Sequence, residues 1–337
     1  MNANEKANRF SEKYINLAEP RLGAKAIYAT DDFFADKQRM LKSQPAEFIA
    51  DKYDDNGKWM DGWESRRKRV EGYDYCIVRL GRAGIIKGVD IDTSHFLGNH
   101  PPAASIDGCY YPEGDPDDAT QWSEILSSVS LAQDSHHLHD VLADEVVTHV
   151  RLNIYPDGGV ARLRIYGLPQ NDWSKVNAVD GELIDLVALE YGGRAIACSD
   201  QAFGSSMLNL NMPGRGINMG DGWETKRRRV PGNEWVIMAL AQPGLLSAIE
   251  VDTAHYKGNF PDRVSVQAGF IQGGTTESTV TQSIFWETIL PEQTLQMDKI
   301  HRFEKELLGG EPITHIRVNN IPDGGISRIR AFGRLTE

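Results

Sequence analysis

The sequence predicts an all-β protein made of two tandem domains of similar structure, and two observations carry this prediction. The stretch THVRLNIYPDGGVARLRIYG, residues 148–167, returns as THIRVNNIPDGGISRIRAFG at residues 314–333, with 11 of 20 aligned positions identical. Composition alone gives about one or two such matches. Apolar and polar residues also alternate along these segments, which is the period of a strand with one buried face.

The remaining segments of the first half also have counterparts in the second half. DGWESRRKRV from Asp61 matches DGWETKRRRV from Asp221, and VDIDTSHFLGNHP from Val89 matches IEVDTAHYKGNFP from Ile249. Small changes in the separation of matched segments indicate insertions and deletions in surface loops. We therefore predict two homologous domains, 1–170 and 171–337, joined near the polar stretch LPQNDWSKVNAVDGE.

Short strands separated by turns favour a β-sandwich within each domain. Val89 and Ile91 alternate with aspartates in VDIDT, and Leu163 and Ile165 alternate with polar residues in ARLRIYG. The intervening PDGG predicts a hairpin turn, because proline fixes φ and glycine allows positive φ. The order of elements resembles the galactose-binding-like jelly rolls. The predicted fold is thus two tandem galactose-binding-like jelly-roll β-sandwich domains.

Charge and composition exclude several classes of function. The net charge of −12 argues against a nucleic-acid partner, which requires clustered lysine and arginine. Three widely spaced cysteines indicate neither a disulfide framework nor a CxxC metal site. Because no long apolar run or apolar leader is present, we expect a cytoplasmic protein with no membrane partner.

Taken together, the repeated motifs resemble the allantoicase family. The motifs that carry the resemblance occur in the same order in both halves: DGWES and DGWET, DTSHFLGNHP and DTAHYKGNFP, and the two PDGG segments with their arginines. The resemblance implies a purine-degradation enzyme that hydrolyses allantoate to ureidoglycolate and urea, a hydrolase of a ureido C–N bond. A tandem carbohydrate-binding module or a structural interaction protein remains the alternative.

The chemistry of allantoate defines what its site must offer. The substrate carries one carboxylate and two ureido groups on a single carbon, so a planar cation and amide-recognising polar groups are expected. An acid must protonate the departing urea nitrogen, and a base must then help water attack the acylimine-like intermediate. Neither a nucleophilic serine nor a cofactor is required, and we predict none; a divalent metal is possible but has no support in the sequence.

Duplicated arginines are the candidates for binding the substrate carboxylate. A guanidinium matches a carboxylate with two parallel hydrogen bonds. The strand arginines could instead line a solvated face or pair with Asp157 and Asp323. The candidates are Arg67 and Arg227, which follow the DGWE motifs, together with Arg162, Arg164, Arg328 and Arg330 on the final strands.

Duplicated carboxylates, histidines and asparagines complete the predicted site. Glu64 and Glu224 could act as acid or base, or only hold an arginine. An imidazole could also protonate the urea nitrogen, although each histidine could be structural. The predicted catalytic residues are Glu64, His95, Glu224 and His255, with Asn99 and Asn259 as further substrate-binding residues.

Two questions stay open at this level. The cluster His136, His137, His139 and Asp140 resembles a metal-binding sequence but has no matching set in the second half, so no metal site is predicted. Duplication also marks fold constraint as readily as chemistry. The sites could be one per domain or a single cleft using both, which we favour; a homo-oligomer is possible.

Overall fold

The computed structural model describes residues 9–176 and 183–336, which form two compact units, Met1–Gln170 and Asn171–Glu337. In the first unit residues 9–13 are helical, and 3₁₀ helices cover Pro20–Leu22 and Lys37–Leu41. Its strands are β1 Ile15–Asn16, β2 Lys25–Ala29, β3 Tyr53–Asp54, β4 Gly57–Lys58, β5 Trp63–Glu64, β6 Asp74–Asp92, β7 Ala103–Cys109, β8 Ser123–Ser130, β9 His136–Asp140, β10 Val146–Tyr155, β11 Gly159–Val160 and β12 Arg162–Pro169.

The second unit repeats this order of strands, except that its described residues include no counterpart of β3 and β4. Its strands are β13 Ile184–Asp185, β14 Arg194–Cys198, β15 Trp223–Glu224, β16 Glu234–Asp252, β17 Arg263–Gly269, β18 Glu287–Thr294, β19 Ile300–Phe303, β20 Ile313–Ile321, β21 Gly325–Ile326 and β22 Arg328–Leu335. Short α-helices cover Trp173–Val176 and Thr276–Gln282, and 3₁₀ helices cover Leu189–Tyr191, Met207–Asn209, Met219–Asp221 and Ser283–Phe285.

One long strand organises each unit. The first part of β6 pairs with β2 and β10, and its last part pairs with β9 and β12. The strand orders that result are β2-β6-β10-β7-β8 and β1-β12-β6-β9, all antiparallel, and β16 has the same position in the second unit. Each unit is therefore an eight-stranded antiparallel assembly, which confirms the predicted all-β repeat.

The apolar residues of the predicted alternation are buried, but the polar residues between them do not form the exposed face that was predicted. Val89 and Ile91 in β6, and Leu163 and Ile165 in β12, are fully buried. Asp90 and Asp92 of β6 and Arg162 of β12 are also buried, at 2–3% exposure. Other segments cover that face, as His136 does where it is hydrogen-bonded to Asp90.

The tryptophan of the DGW motif, Trp63, is also fully buried, and its indole Nε1–H donates to the Asp31 carbonyl at 2.8 Å. The DGW motif thus anchors the strand that carries Glu64 to the core of the unit.

The prediction of a hairpin at PDGG is wrong. β10 pairs with β6 and β7, whereas β12 pairs with β1 and β6, so the two strands that flank PDGG are not neighbours. The segment instead leads into β11, which pairs with β5. Gly158 has the positive φ that the motif predicts. The strands with which the following segment pairs depend on tertiary contacts, which the turn residues do not determine.

No helix in the described ranges 9–176 and 183–336 has the length and apolar character needed to cross a bilayer. The three cysteines are free thiols, with Cys76 and Cys109 buried and Cys198 partly buried.

Candidate active site

Glycines in the PDGG segment allow two loops of the candidate site to approach each other closely. Gly158 has φ of 138°, and a Cβ built there would lie 2.8 Å from the Asn99 carbonyl oxygen. A Cβ on Gly159 would overlap the Phe96 ring at 1.9 Å, so only glycine allows the two loops to meet. The amide of Gly159 also donates to the Asn99 carbonyl at 2.7 Å. The PDGG segment thus contacts the loop that carries Asn99 and fixes its position.

The side chains of Glu64 and Asn99 are hydrogen-bonded to each other next to the PDGG segment. Glu64 lies on β5, which pairs with β11, and its Oε1 accepts a 2.7 Å hydrogen bond from Asn99 Nδ2. Burial raises the pKa of Glu64, and the hydrogen bond from Asn99 opposes that shift only in part. Asn259 Nδ2 donates in the same way to Glu224 at 2.6 Å. The structure therefore brings together two residues that were predicted separately in each unit, with an amide rather than an arginine as the partner of each carboxylate.

His95 lies on the same loop as Asn99 but faces a different neighbour. Its backbone φ is 69°, unusual for a residue with a side chain, and its N–H donates to Asp134 at 2.8 Å. The ring Nε2 lies 3.1 Å from the Ala46 carbonyl, which can only accept, so Nε2 carries the proton. Only Nδ1 is left for chemistry on this ring.

His255 has the same arrangement in the second unit. Its φ is 71°, its N–H donates to Asp298 at 2.8 Å, and its Nε2 donates to the Gly216 carbonyl at 2.7 Å. Both histidines thus have a positive φ and a ring nitrogen bonded to a backbone carbonyl. These shared features come from the common geometry of the two loops.

The run of basic residues after Glu64 divides into two alternating sets. Arg66 pairs with Asp31 at 2.6 Å, and Lys68 pairs with Asp74 at 2.6 Å. Arg67 and Arg69 are exposed and form no ion pair with any residue in the described part of the chain. These residues line a cleft of about 540 Å³. The alternation leaves the guanidinium of Arg67 available to an anion from solution.

The second unit has the same alternation. Lys226 pairs with Asp200 at 3.4 Å and Arg228 pairs with Glu234 at 2.7 Å. Arg227 is exposed and, within residues 9–176 and 183–336, has no ion-pair partner. The position predicted for carboxylate binding therefore has the same electrostatic character in both units.

The strand arginines have a different environment. Arg162 is buried, with 2% of its surface exposed, and its Nη2 donates to Asp61 at 2.5 Å. Its other guanidinium N–H groups donate to backbone carbonyls, including those of Gln44, Pro45 and Asp61. Arg164 likewise donates to the carbonyls of Lys42 and Ser43. These two arginines bind the segment that follows the 3₁₀ helix Lys37–Leu41, and not an open cleft.

Arg328 and Arg330 are engaged in the same way. Arg328 is buried and donates from Nη2 to Asp221 at 2.9 Å, and Arg330 donates from Nη2 to the carbonyls of Met212 and Gly214. The partners are therefore Asp61 and Asp221, and not the Asp157 and Asp323 considered from sequence. Asp157 and Asp323 instead accept hydrogen bonds from the backbone amides of Lys68 and Arg228.

The histidine-rich strand β9 is engaged within the fold. His136 Nδ1 lies 2.8 Å from Asp90 Oδ2, and this hydrogen bond raises the pKa of His136 despite partial burial. His137 accepts from the Ala132 amide at 2.8 Å and donates to the Ile91 carbonyl at 2.8 Å. Among the residues that the structure describes, no three histidine, cysteine or acidic side chains converge to hold a metal ion.

The duplicated stretch from Thr148 also carries a row of side chains that the predicted site leaves out. His149, Arg151 and Asn153 occupy alternate positions of β10, and His315, Arg317 and Asn319 occupy the same positions of β20. Their period of two was visible in the sequence, but the residues that face them on neighbouring strands were not.

Comparisons with known proteins give one family. The family described as "Allantoicase repeat" matches residues 15–170 and 184–336. A probable allantoicase of Photobacterium profundum is 60% identical over 333 residues, which is 99% of this chain and 100% of the relative. A probable allantoicase of Ralstonia nicotianae is 60% identical over 97% of this chain and 96% of the relative.

A solved structure supports the same assignment. The crystal structure of allantoicase from Saccharomyces cerevisiae is 32% identical, with a TM-score of 0.82 over 98% of both chains. Sequence and fold thus agree along both units, and the resemblance carried by the DGW, GN and PDGG motifs is confirmed. This chain belongs to the allantoicase family.

Proposed function

We propose that this protein hydrolyses allantoate to ureidoglycolate and urea. The observation that carries the proposal is the match of both units, over nearly the whole chain, to the family and to relatives about 60% identical. The duplicated carboxylate–amide pairs supply side chains suited to this reaction. The proposal places the enzyme in the cytoplasm and invokes no metal or organic cofactor.

We further propose that Glu64 is the general acid of the first unit. Its raised pKa keeps the carboxyl protonated to higher pH than an ordinary glutamic acid, which suits the protonation of a leaving nitrogen. As the C–N bond breaks, this nitrogen takes the proton and departs as urea. The nitrogen of the remaining ureido group supplies electrons to the central carbon, which gives an acylimine-like intermediate.

Addition of water completes the reaction. The water oxygen bonds to the central carbon and its proton passes to a base, for which ionised Glu64 and Nδ1 of His95 are the candidates. The hydroxyl group formed in this step makes the product ureidoglycolate. We propose that Asn99 orients Glu64. We also propose that Arg67 binds the substrate carboxylate; it lies three residues along the chain from Glu64 and lines a cleft of about 540 Å³ of which Glu64 is not a lining residue. Glu224, His255, Arg227 and Asn259 are the corresponding set in the second unit.

The buried arginines are assigned to the scaffold in this proposal. Arg162 and Arg328 already bind Asp61 and Asp221 and are almost fully buried, so a substrate carboxylate would have to displace a charged partner. Arg164 and Arg330 hold loop carbonyls.

A release assay tests the proposal. The purified full chain is incubated with allantoate, and urea and ureidoglycolate are quantified with time. One urea per allantoate is expected, with allantoin, whose ring is closed, left unchanged. Binding of sugars without turnover of allantoate would favour a carbohydrate-binding module instead.

A further inference from the structure

The two units differ in charge at one matched position on the sheet. Arg151 of β10 lies opposite Asp107 of β7, and Arg317 of β20 lies opposite Gln267 of β17 in the same register. The arginine is thus present in both units, but its carboxylate neighbour is present only in the first.

In the first unit the arginine is neutralised internally. Arg151 donates from Nε and Nη2 to Asp107 Oδ2 at 3.1 and 2.8 Å. Its guanidinium also lies over two rings, 4.8 Å from the Trp122 centroid and 5.5 Å from that of Tyr75. A charged partner and two aromatic rings therefore enclose this cation.

In the second unit the same cation has only neutral partners. Arg317 donates from Nε to Asn319 at 3.2 Å and from Nη1 to Ser283 at 2.7 Å, and it lies 4.4 Å from the Trp235 ring centroid. Across the described residues, no carboxylate forms an ion pair with it and no acceptor is bonded to Nη2. Gln267 instead donates to the Trp286 carbonyl at 2.9 Å.

The aromatic enclosure differs in the second unit as well. Trp286 is the counterpart of Trp122, yet its ring packs against His315, with centroids 6.1 Å apart. The indole Nε1 of Trp286 is buried and, in the described part of the chain, has no acceptor. The face around Arg317 thus has an uncompensated cation and a second donor that lacks a partner.

His315, two residues before Arg317 on β20, adds no positive charge to this face. Burial, aided by the positive charge of Arg194, lowers the pKa of His315 to about 4, so its ring is neutral near neutral pH. Burial also lowers the pKa of Arg317. A half-buried cation without a counter-ion is costly, and a bound anion would offset that cost.

We propose that the Arg317 face of the second unit binds a small carboxylate at Nη2 of Arg317, the guanidinium nitrogen whose counterpart in Arg151 donates to the Asp107 carboxylate in the first unit. The planar fork of a guanidinium matches a carboxylate, and the carbonyl oxygen of a ureido or amide substituent on the ligand would suit the indole N–H of Trp286, which has no acceptor among the described residues. None of the residues of this site lines the cleft that contains Arg67. The site does not depend on turnover, because binding is measured with compounds that are not hydrolysed.

Three probes identify the ligand chemistry. Ureidoacetate has the carboxylate and one ureido group, acetate has the carboxylate alone, and methylenediurea has two ureido groups and no carboxylate. Titration calorimetry of the full chain gives affinity and stoichiometry for each probe. Tighter binding of ureidoacetate than of acetate identifies a ureido acid as the ligand, and equal binding identifies a small carboxylate of any kind. Methylenediurea is expected not to bind at this site.

Two variants that differ only in charge isolate the site. Gln267→Asp supplies the carboxylate that the first unit already has, and it should weaken carboxylate binding at one site by at least about tenfold. Gln267→Asn introduces a side chain of the same length as aspartate but without the charge. The affinity of this variant for the carboxylate probes should stay within about threefold of that of the original protein. Arg317→Gln should lose the same site.

The proposal is overturned if the original protein binds neither ureidoacetate nor acetate, or if the aspartate and asparagine variants bind them equally. Because Gln267→Asp adds an internal ion pair, it remains informative even if Arg317→Gln does not fold. Urea release from allantoate is measured in parallel on the original protein. Its absence would defeat the proposed function while leaving the binding result intact.

Discussion

Asn99 donates a 2.7 Å hydrogen bond to Glu64 across 35 residues of sequence; Glu64 lies on β5, which pairs with β11, and Asn99 lies on the loop that contacts the PDGG segment. The second unit repeats the bond between Asn259 and Glu224. Burial raises the pKa of Glu64 while the amide still orients its carboxyl group. This combination of desolvation and orientation is what an acid for urea departure requires.

Replacing Glu64 by glutamine should separate activity from stability. Glutamine keeps an acceptor for Asn99 but cannot transfer a proton, so kcat should fall about 10²–10⁴-fold. Since the raised pKa means that folding disfavours the ionised form, the carboxylate costs stability as pH rises through its folded pKa. The Tm of Glu64→Gln near neutral pH should therefore equal or exceed that of the original protein. Unchanged kcat would remove Glu64 from the mechanism.

Removing Asn99 should move the pH profile of the reaction. The hydrogen bond from Asn99 lowers the pKa of Glu64, so Asn99→Ala should raise that pKa further and shift the basic limb of kcat/KM to higher pH. Asn259→Ala is the matched variant in the second unit. A loss of Tm with no shift of the limb would mean that Asn99 is structural only.

Arg67 and Arg227 should contribute to catalysis without contributing to stability. Arg67→Ala should cost about 2–5 kcal/mol in kcat/KM if the fork binds the substrate carboxylate, with little change in Tm because the side chain is exposed. Lysine should rescue poorly, since it keeps charge but loses two-point geometry. Comparison with Arg227→Ala identifies the working unit. Near-original kcat/KM in both variants would exclude this role.

The buried pair Arg162–Asp61 should behave in the opposite way. Asp61→Asn leaves a buried guanidinium without its counter-ion and should cost about 3–5 kcal/mol of unfolding free energy in denaturant titrations. Asp140→Asn, which removes the exposed partner of Arg9, should cost only about 0–1 kcal/mol. Equal losses in the two variants would contradict the assignment of Arg162 to the scaffold.

The same pair gives a pH dependence. Burial would raise the pKa of Asp61, but hydrogen bonds from Lys42 and Arg162 outweigh it, and the pKa lies below the ordinary 3.8. A lowered pKa stabilises the fold above 3.8, and this contribution is lost as pH falls through the folded value. The stability difference between the original protein and Asp61→Asn should therefore shrink in acid. A difference that is constant across this range would contradict the linkage.

Sequence predicted the architecture because its signals are local or repeated. The apolar positions Val89 and Ile91 are fully buried, although the polar positions Asp90 and Asp92 are buried too, and the matched motifs give two units that share the order of their common strands. The failure at PDGG has the opposite cause, since the choice of strand partner depends on residues far along the chain. A long strand such as β6, which pairs with β2 and β10 in its first part and with β9 and β12 in its last part, has no signature in a short stretch of sequence.

The candidate site shows the same division. Duplication predicted Glu64, Asn99 and Arg67 as candidate site residues. It did not predict the hydrogen bond between Glu64 and Asn99, or the ion pairs of Arg66 and Lys68 that leave Arg67 without one among the described residues. In the sequence, Arg162 and Arg67 are both arginines with a counterpart in the second half, and nothing local distinguishes their roles. Burial beside Asp61 in one case, and exposure in a cleft in the other, separates them.

The measurement that most directly tests the central claim is urea release from allantoate by the purified, folded full chain, with Glu64→Gln as the matched variant. One urea and one ureidoglycolate are expected for each allantoate consumed, with no consumption of allantoin and a loss of about 10²–10⁴-fold in kcat for the variant. If allantoate stays unchanged in the presence of protein with a normal unfolding transition, the chain is not an allantoate hydrolase.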